Sequence, residues 1–128
     1  MSQTFNKHLA TVIDRTARII DRRGFDVWAW HSSETWRSPK TAPLDLPTAV
    51  AIALRMPPWS WQNGGPDILS DSNGIRPVYA AIAEHLISTG AATAGTHPAV
   101  VVTRWEQSCG TDVTRVCTVL SGAADVLR

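Results

Sequence analysis

The stretch TDVTRVCTVLSGAADVL, residues 111–127, decides the fold class of this chain. Its first residue, Thr111, has a side chain suited to capping the first turn of a helix. The apolar residues that follow recur at three- and four-residue spacing and form one continuous stripe: Val113, Val116, Cys117, Leu120, Ala123, Ala124 and Leu127. We therefore predict a C-terminal amphipathic helix that buries this stripe in a core.

Two other segments repeat the helical pattern. Residues 4–23 carry apolar side chains at the same spacing, and Gly24 supplies a stop. Residues 75–88 also carry apolar side chains at this spacing, and Gly90 ends the predicted helix. We predict one amphipathic helix in each segment.

Residues 46–56 predict a helix of a different kind, because apolar side chains cover nearly every side of it. Asp45 or Leu46 is the expected cap, and the Pro57-Pro58 pair ends the helix. A helix that is apolar all round is normally buried at the centre of a bundle.

The segment 97–107 is ambiguous. Val100, Val101 and Val102 are β-branched and favour a strand. Pro98 in a first turn and Gly110 as a stop favour a helix instead. We predict a short helix here.

Together these segments predict an all-α fold, with residues 1–128 forming a single globular domain built as a small bundle of four to five helices. A chain of this length buries roughly 68% of the surface that its unfolded form exposes, which is enough for a real core. Two long stretches remain outside the helices: the first excursion, residues 25–44, and the second excursion, residues 57–74. Loops of this length in a compact domain are uncommon and are usually functional or mobile.

Composition excludes several classes of protein. Twelve Lys and Arg against eleven Asp and Glu give a formal net charge of +1, which excludes the strongly basic balance of a typical nucleic-acid module. The longest apolar run, residues 49–54, is far shorter than the ~18 residues that cross a bilayer. The first ten residues lack the apolar centre of a signal peptide. We predict a soluble, cytoplasmic protein with no membrane partner.

The two cysteines predict neither a disulfide nor a metal site. We expect Cys117 in the core, about two turns inside the last helix, and Cys109 in the loop before it. The two would then lie roughly 9 Å apart along the helix axis, beyond the ~7 Å Cα limit for a disulfide. No CxxC motif occurs.

Three short sequence motifs can be compared together with a known family. Residues 102–107 read VTRWEQ and lead through a Gly110-Thr111 turn into the last helix, residues 17–25 read ARIIDRRGF, and residues 44–46 read LDL before an Ala-rich helix. This pattern resembles an uncharacterised family of small actinobacterial and actinophage proteins. The chain differs from that family at two places. Glu106-Gln107 replace the usual Asn-Asp, and Pro47 lies where a Cys-x-Gly motif is common. The resemblance implies a mostly helical fold and no mechanism.

Tryptophan is the strongest compositional signal, with six Trp against one Tyr and two Phe. Two interpretations remain open. In the first, the indoles cover a small helical core. In the second, the two excursions form an aromatic pocket or a partner surface, where Trp is a frequent anchor. Four of the six form two W-x-W pairs, Trp28 with Trp30 and Trp59 with Trp61. The two members of such a pair share one side of an extended segment. The other two, Trp36 and Trp105, are single.

Polar residues beside the first pair add to this candidate site. If the stretch were helical, His31 and Glu34 would share a face and could serve as an acid–base pair or as metal ligands. Arg37 follows Trp36 directly. Nothing else completes a catalytic or metal-binding motif. We therefore predict no catalytic residue, metal or cofactor, and we favour a protein that is not an enzyme.

Arginines on the first helix provide an alternative. A stripe of four side chains there can contact phosphates, yet two aspartates beside it also make it an ordinary solvated face. No helix-turn-helix spacing is evident to read bases. The four are Arg15, Arg18, Arg22 and Arg23.

We therefore predict a small interaction or regulatory protein that binds a protein or a small aromatic ligand through its Trp-rich loops. Nucleic-acid binding by the first helix is the alternative, and a small metal-dependent enzyme comes third. The sequence leaves the partner and the oligomeric state open, a homodimer included. The candidate contact residues are Trp28, Trp30, His31, Glu34, Trp36, Arg37, Trp59, Trp61 and Trp105.

Overall fold

A computed structural model describes residues 3–27, 43–56, 75–95 and 97–128. This part of the chain holds five helices and, as its one β feature, an isolated bridge, so the predicted all-α bundle is confirmed. None of these helices is both long and apolar enough to cross a membrane. In chain order they are α1 (Gln3–Arg23), α2 (Leu46–Ala53), α3 (Ile75–Ser88), α4 (Pro98–Cys109) and α5 (Val113–Leu127).

α2 is central, as its all-apolar sequence predicts. Seven of its eight residues are buried, and it packs against both α1 and α3. It ends at Ala53, three residues earlier than predicted, because Arg55 adopts a left-handed backbone conformation with φ 62°. The Met56 N–H then donates to the carbonyl of Ala51 at 2.9 Å, so the chain has already turned before Pro57.

The ambiguous segment is a helix, α4. Its cap is His97, whose Nδ1 accepts the N–H of Ala99 at 3.0 Å. Because α4 extends as far as Cys109, that residue is helical and buried, and its prediction as a loop thiol was wrong. Cys117 is half-buried against the core, and both cysteines are free thiols.

The cap of α5 lies one residue later than predicted. Asp112, not Thr111, caps it, because the Asp112 carboxylate accepts the N–H of Arg115 at 3.0 Å. α5 lies along α1 in the most extensive helix contact of the described residues, and α3 packs on α4. The core between these pairs is filled by large aliphatic side chains that include Ile13, Ile82 and Leu120.

The two ends of the first excursion are fastened together on the bundle. Phe25 and Leu44 form a parallel bridge, in which Asp26 N–H donates to the Leu44 carbonyl at 3.0 Å and Leu44 N–H donates to the Gly24 carbonyl at 3.1 Å. Val27 N–H donates to the carbonyl of Gly110 at 3.1 Å, which ties the same point to the turn after α4. This pairing fixes where α2 begins.

Candidate functional site: a buried carboxyl cluster

Three polar side chains from three parts of the chain are buried near the N-terminus of α2. They are Asp45, 1% exposed, Tyr79 of α3, 1% exposed, and Glu106 of α4, 4% exposed. Acidic side chains are rarely buried to this degree without a partner. We call these three residues the carboxyl cluster.

Asp45 caps α2 with one of its two oxygens. Its Oδ1 accepts the N–H of Thr48 at 3.1 Å, while its buried Oδ2 has no hydrogen-bond partner among the described residues. Burial raises the pKa of Asp45 to about 6; hydrogen bonds from the side chain and from the backbone N–H of Thr48 oppose this shift, and the nearby charge of Asp26 adds to it.

Glu106 reaches the same helix end from α4. Its Oε2 accepts the N–H of Leu46 at 2.9 Å, across sixty residues of sequence. Burial raises the pKa of Glu106 to about 8, the bond from Leu46 works against that rise, and the charge of Asp45 increases it. Two carboxyls therefore accept hydrogen bonds from N–H groups that a helix N-terminus leaves without backbone partners.

Tyr79 adds a hydroxyl to this cluster. Burial raises its pKa well above the ordinary value, and the charges of Glu106 and Asp45 raise it further. The Tyr79 Oη has no hydrogen-bond partner among the described residues. Buried phenols usually find one.

Neither Asp45 nor Glu106 forms an ion pair within the described ranges. Buried titratable groups with shifted pKa values are a physical sign of a functional site. In the same ranges no three His, Cys, Asp or Glu side chains gather in a way that could hold a metal ion.

No protein-family model, curated protein or solved structure matches the chain. The resemblance to small actinobacterial and actinophage proteins therefore stays a prediction.

Of the nine predicted contact residues, the structure describes one. Trp105 is 3% exposed and packs in the core from α4, and its Nε1 has no hydrogen-bond partner among the described residues. The other eight lie outside the described residues: Trp28, Trp30, His31, Glu34, Trp36, Arg37, Trp59 and Trp61.

The four arginines of α1 do not form one uniform surface. Arg15 donates from Nη1 to the carbonyl of Ala53 at 2.7 Å and so joins α1 to the end of α2. Arg18 and Arg22 are exposed. Arg23 is half-buried, and burial lowers its pKa.

Sequence reasoning missed the carboxyl cluster, although one signal of it was present. Glu106 lies four residues after Val102 and three before Cys109, so it occupies the apolar stripe of α4. A carboxyl on an apolar stripe must find a buried partner or a proton. Asp45 was recognised as a possible cap, but nothing local placed Tyr79 beside it.

Proposed function

We propose that this chain is a small cytoplasmic interaction or regulatory protein whose two Trp-bearing excursions contact a protein or a small aromatic ligand. The observation that carries the proposal is the pairing of Phe25 with Leu44. It fastens both ends of the first excursion to the helical body, next to Asp45 of the carboxyl cluster. In sequence, Trp28 follows this anchor by three residues.

The distribution of tryptophan supports the same proposal. Trp105 is the one tryptophan among the described residues, and it is a core residue. The other five fall in the excursions. Trp is a frequent anchor of interfaces, so five indoles in two long segments between the helices favour contacts with a ligand or partner.

Nucleic-acid binding by α1 receives less support from the geometry. Arg15 is engaged with Ala53 inside the bundle, and Arg128 pairs with Asp14 beside the stripe. Phosphate contact would therefore depend mainly on Arg18 and Arg22.

Nuclear magnetic resonance of the indole N–H groups tests the proposal. Single Trp→Phe substitutions assign the six signals, and indole and phenol serve as neutral aromatic probes. We expect signals from the W-x-W pairs to shift on titration while the Trp105 signal stays fixed. If no probe moves the excursion signals, or if W28F, W30F, W59F and W61F each unfold the chain, the small-ligand form of the proposal is wrong.

A further inference from the structure

We propose that a groove between α3 and α4 binds an alkylammonium ion, which is a small protonated amine with an apolar tail. The groove is a cavity of about 360 Å³, a volume within the roughly 300–1,000 Å³ of small-molecule sites. The proposal goes beyond the proposed function, because residues of α3, of α4 and of the connector between them build the groove. It rests on the shape of the groove, its apolar lining and the kind of polar atoms that it presents.

One wall of the groove is a stripe along α3. This stripe lies beside the one that faces the core, which holds Val78, Ile82 and Leu86. Its five members occupy positions i, i+3, i+4, i+7 and i+8, which share one face of a helix. They are Ala80, Ala83, Glu84, Ile87 and Ser88. Ile87 keeps 38% of its surface exposed, so α3 presents a second, open face in addition to its core face.

The opposite wall comes from the start of α4 and from the connector before it. Gly95, Pro98 and Val101 line this wall, and none of the three has a polar side chain. Gly95 lies against α4, since a Cβ built on Gly95 would be 3.0 Å from Cγ2 of Val101. The two walls together offer an apolar surface that can take an alkyl group out of water.

The polar side chains of the described lining are acceptors. Ser88 donates its hydroxyl hydrogen to the carbonyl of His85, with 2.9 Å between the two oxygens, which leaves the Ser88 oxygen as an acceptor. Glu84 lies one turn before Ser88 on the same face of α3, and a carboxylate has acceptors only. A ligand that bonds to both side chains must therefore be a donor.

The charge along this part of α3 selects a cation. Glu84 is the one charged side chain among the described residues that line the groove. The groove follows the C-terminal half of α3, the end at which the carbonyl groups give a helix a partial negative charge. Arg104 lines a neighbouring cavity instead. These charges repel a carboxylate or a phosphate, whereas an ammonium group brings a positive charge and three donors.

Three probes with the same six-carbon chain test the proposal: n-hexylamine, n-hexanol and hexanoate. Each is titrated into the ¹⁵N-labelled full chain, and nuclear magnetic resonance of the backbone amides gives both the affinity and the location. We expect n-hexylamine to bind at least about fivefold more tightly than n-hexanol, near the upper limit for an exposed ion pair. Hexanoate should bind more weakly than either. The amides that shift should lie around Ile87 and Val101, while the indole signals of the excursions stay fixed.

Four results would overturn the proposal. They are equal affinities for the amine and the alcohol, hexanoate binding as tightly as n-hexylamine, amine-dependent shifts that lie outside the groove, and no binding of n-hexylamine at 10 mM.

A charge variant at Glu84 locates the ammonium group. E84Q removes the charge and keeps the size of the side chain, so it should weaken n-hexylamine about fivefold and leave n-hexanol unchanged. D21N removes a carboxylate at the exposed Asp21 of α1, outside the groove, and should alter neither affinity. If E84Q binds n-hexylamine as tightly as the wild type does, the ammonium group does not lie at Glu84 and the proposal is wrong.

A variant of the apolar wall locates the alkyl chain. I87S removes an apolar side chain from the groove and should weaken both n-hexylamine and n-hexanol. V126S makes a similar change at a side chain of α5 that is 74% exposed, and it should weaken neither. Circular dichroism confirms that each variant is folded. Unchanged binding of both probes to a folded I87S would show that the alkyl chain lies elsewhere, contrary to the proposal.

Discussion

The backbone N–H of Leu46 donates to Oε2 of Glu106 at 2.9 Å, and this bond joins the start of α2 to α4 across sixty residues. It is buried, and it works beside the cap that Asp45 gives to Thr48. A buried helix N-terminus needs such acceptors because its first N–H groups have no partners within the helix. The carboxyls of Asp45 and Glu106 therefore stabilise the start of α2. Because this role keeps them buried, their pKa values are raised.

Removing the acceptor of Glu106 should separate these two roles. E106L leaves the buried Leu46 N–H without a partner, and we expect it to lower the free energy of unfolding by about 1–3 kcal/mol. E106Q keeps an acceptor and removes a buried charge, so it should be neutral or stabilising at pH 8. Urea unfolding of both variants at pH 8 measures the difference. If E106L and E106Q are equally stable, the bond contributes nothing.

The stability of the folded chain should fall as the pH rises from about 5 to about 8. Glu106 has a folded-state pKa of about 8 against an ordinary value of 4.5. Asp45 has a value of about 6 against 3.8. Between these values the folded state holds more protons than the unfolded state, so its stability is fully present at the lower pH and is lost as the carboxyls ionise. Thermal unfolding across this range measures the slope.

E106Q should flatten that slope, and E84Q should leave it unchanged because Glu84 is exposed. A wild-type chain that gains stability from pH 5 to pH 8, or an E106Q variant with the wild-type slope, would contradict the assignment. Both variants have the same change in formal charge, so a general effect of net charge is controlled.

Arg15 should matter for stability, whereas Arg18 should not. Arg15 donates to the Ala53 carbonyl at 2.7 Å in a partly buried position, so R15A loses a hydrogen bond to the end of α2. We expect a cost of about 1–2 kcal/mol for R15A and about 0.5 kcal/mol or less for R18A, since Arg18 is exposed. Chemical denaturation of the two variants under one condition provides the comparison. Equal costs would show that the bond to Ala53 is not significant.

Gly122 of α5 should resist substitution because of His85 of α3. A Cβ at position 122 would lie 2.7 Å from His85 Nε2, which is closer than atoms in contact allow. Replacing a helical Gly by Ala normally stabilises a helix by about 1 kcal/mol. Here we expect G122A to destabilise by about 1–3 kcal/mol through overpacking.

The double variant H85A/G122A tests that explanation, since it restores the space. It should be more stable than the sum of the two single changes predicts. The exposed neighbour S121A serves as the control and should stay within about 0.5 kcal/mol of wild type. A stabilising G122A would mean that His85 moves aside without cost.

Sequence patterns predicted the parts of the fold that depend on neighbours in the chain. The apolar stripes located α1, α3 and α5, and Gly24, Gly90 and Gly110 each have the positive φ expected of a helix stop. Cap identity was less certain, because Asp112 and Thr111 are adjacent and both suit a cap.

The candidate site depends on contacts that no local pattern contains. Glu106 meets Leu46 sixty residues away, and Tyr79 comes to the cluster from a third helix. The sequence did place Asp45 at the start of α2, because capping is a local property. The excursion tryptophans, which carry the functional prediction, lie outside the described residues.

The bridge between Phe25 and Leu44 also bears on how this protein can change. The hydrogen bonds of Gly24, Asp26 and Leu44 hold the start of α2 against the end of α1. Any change that breaks this bridge should therefore release α2 from α1 even when both helices keep their own sequences.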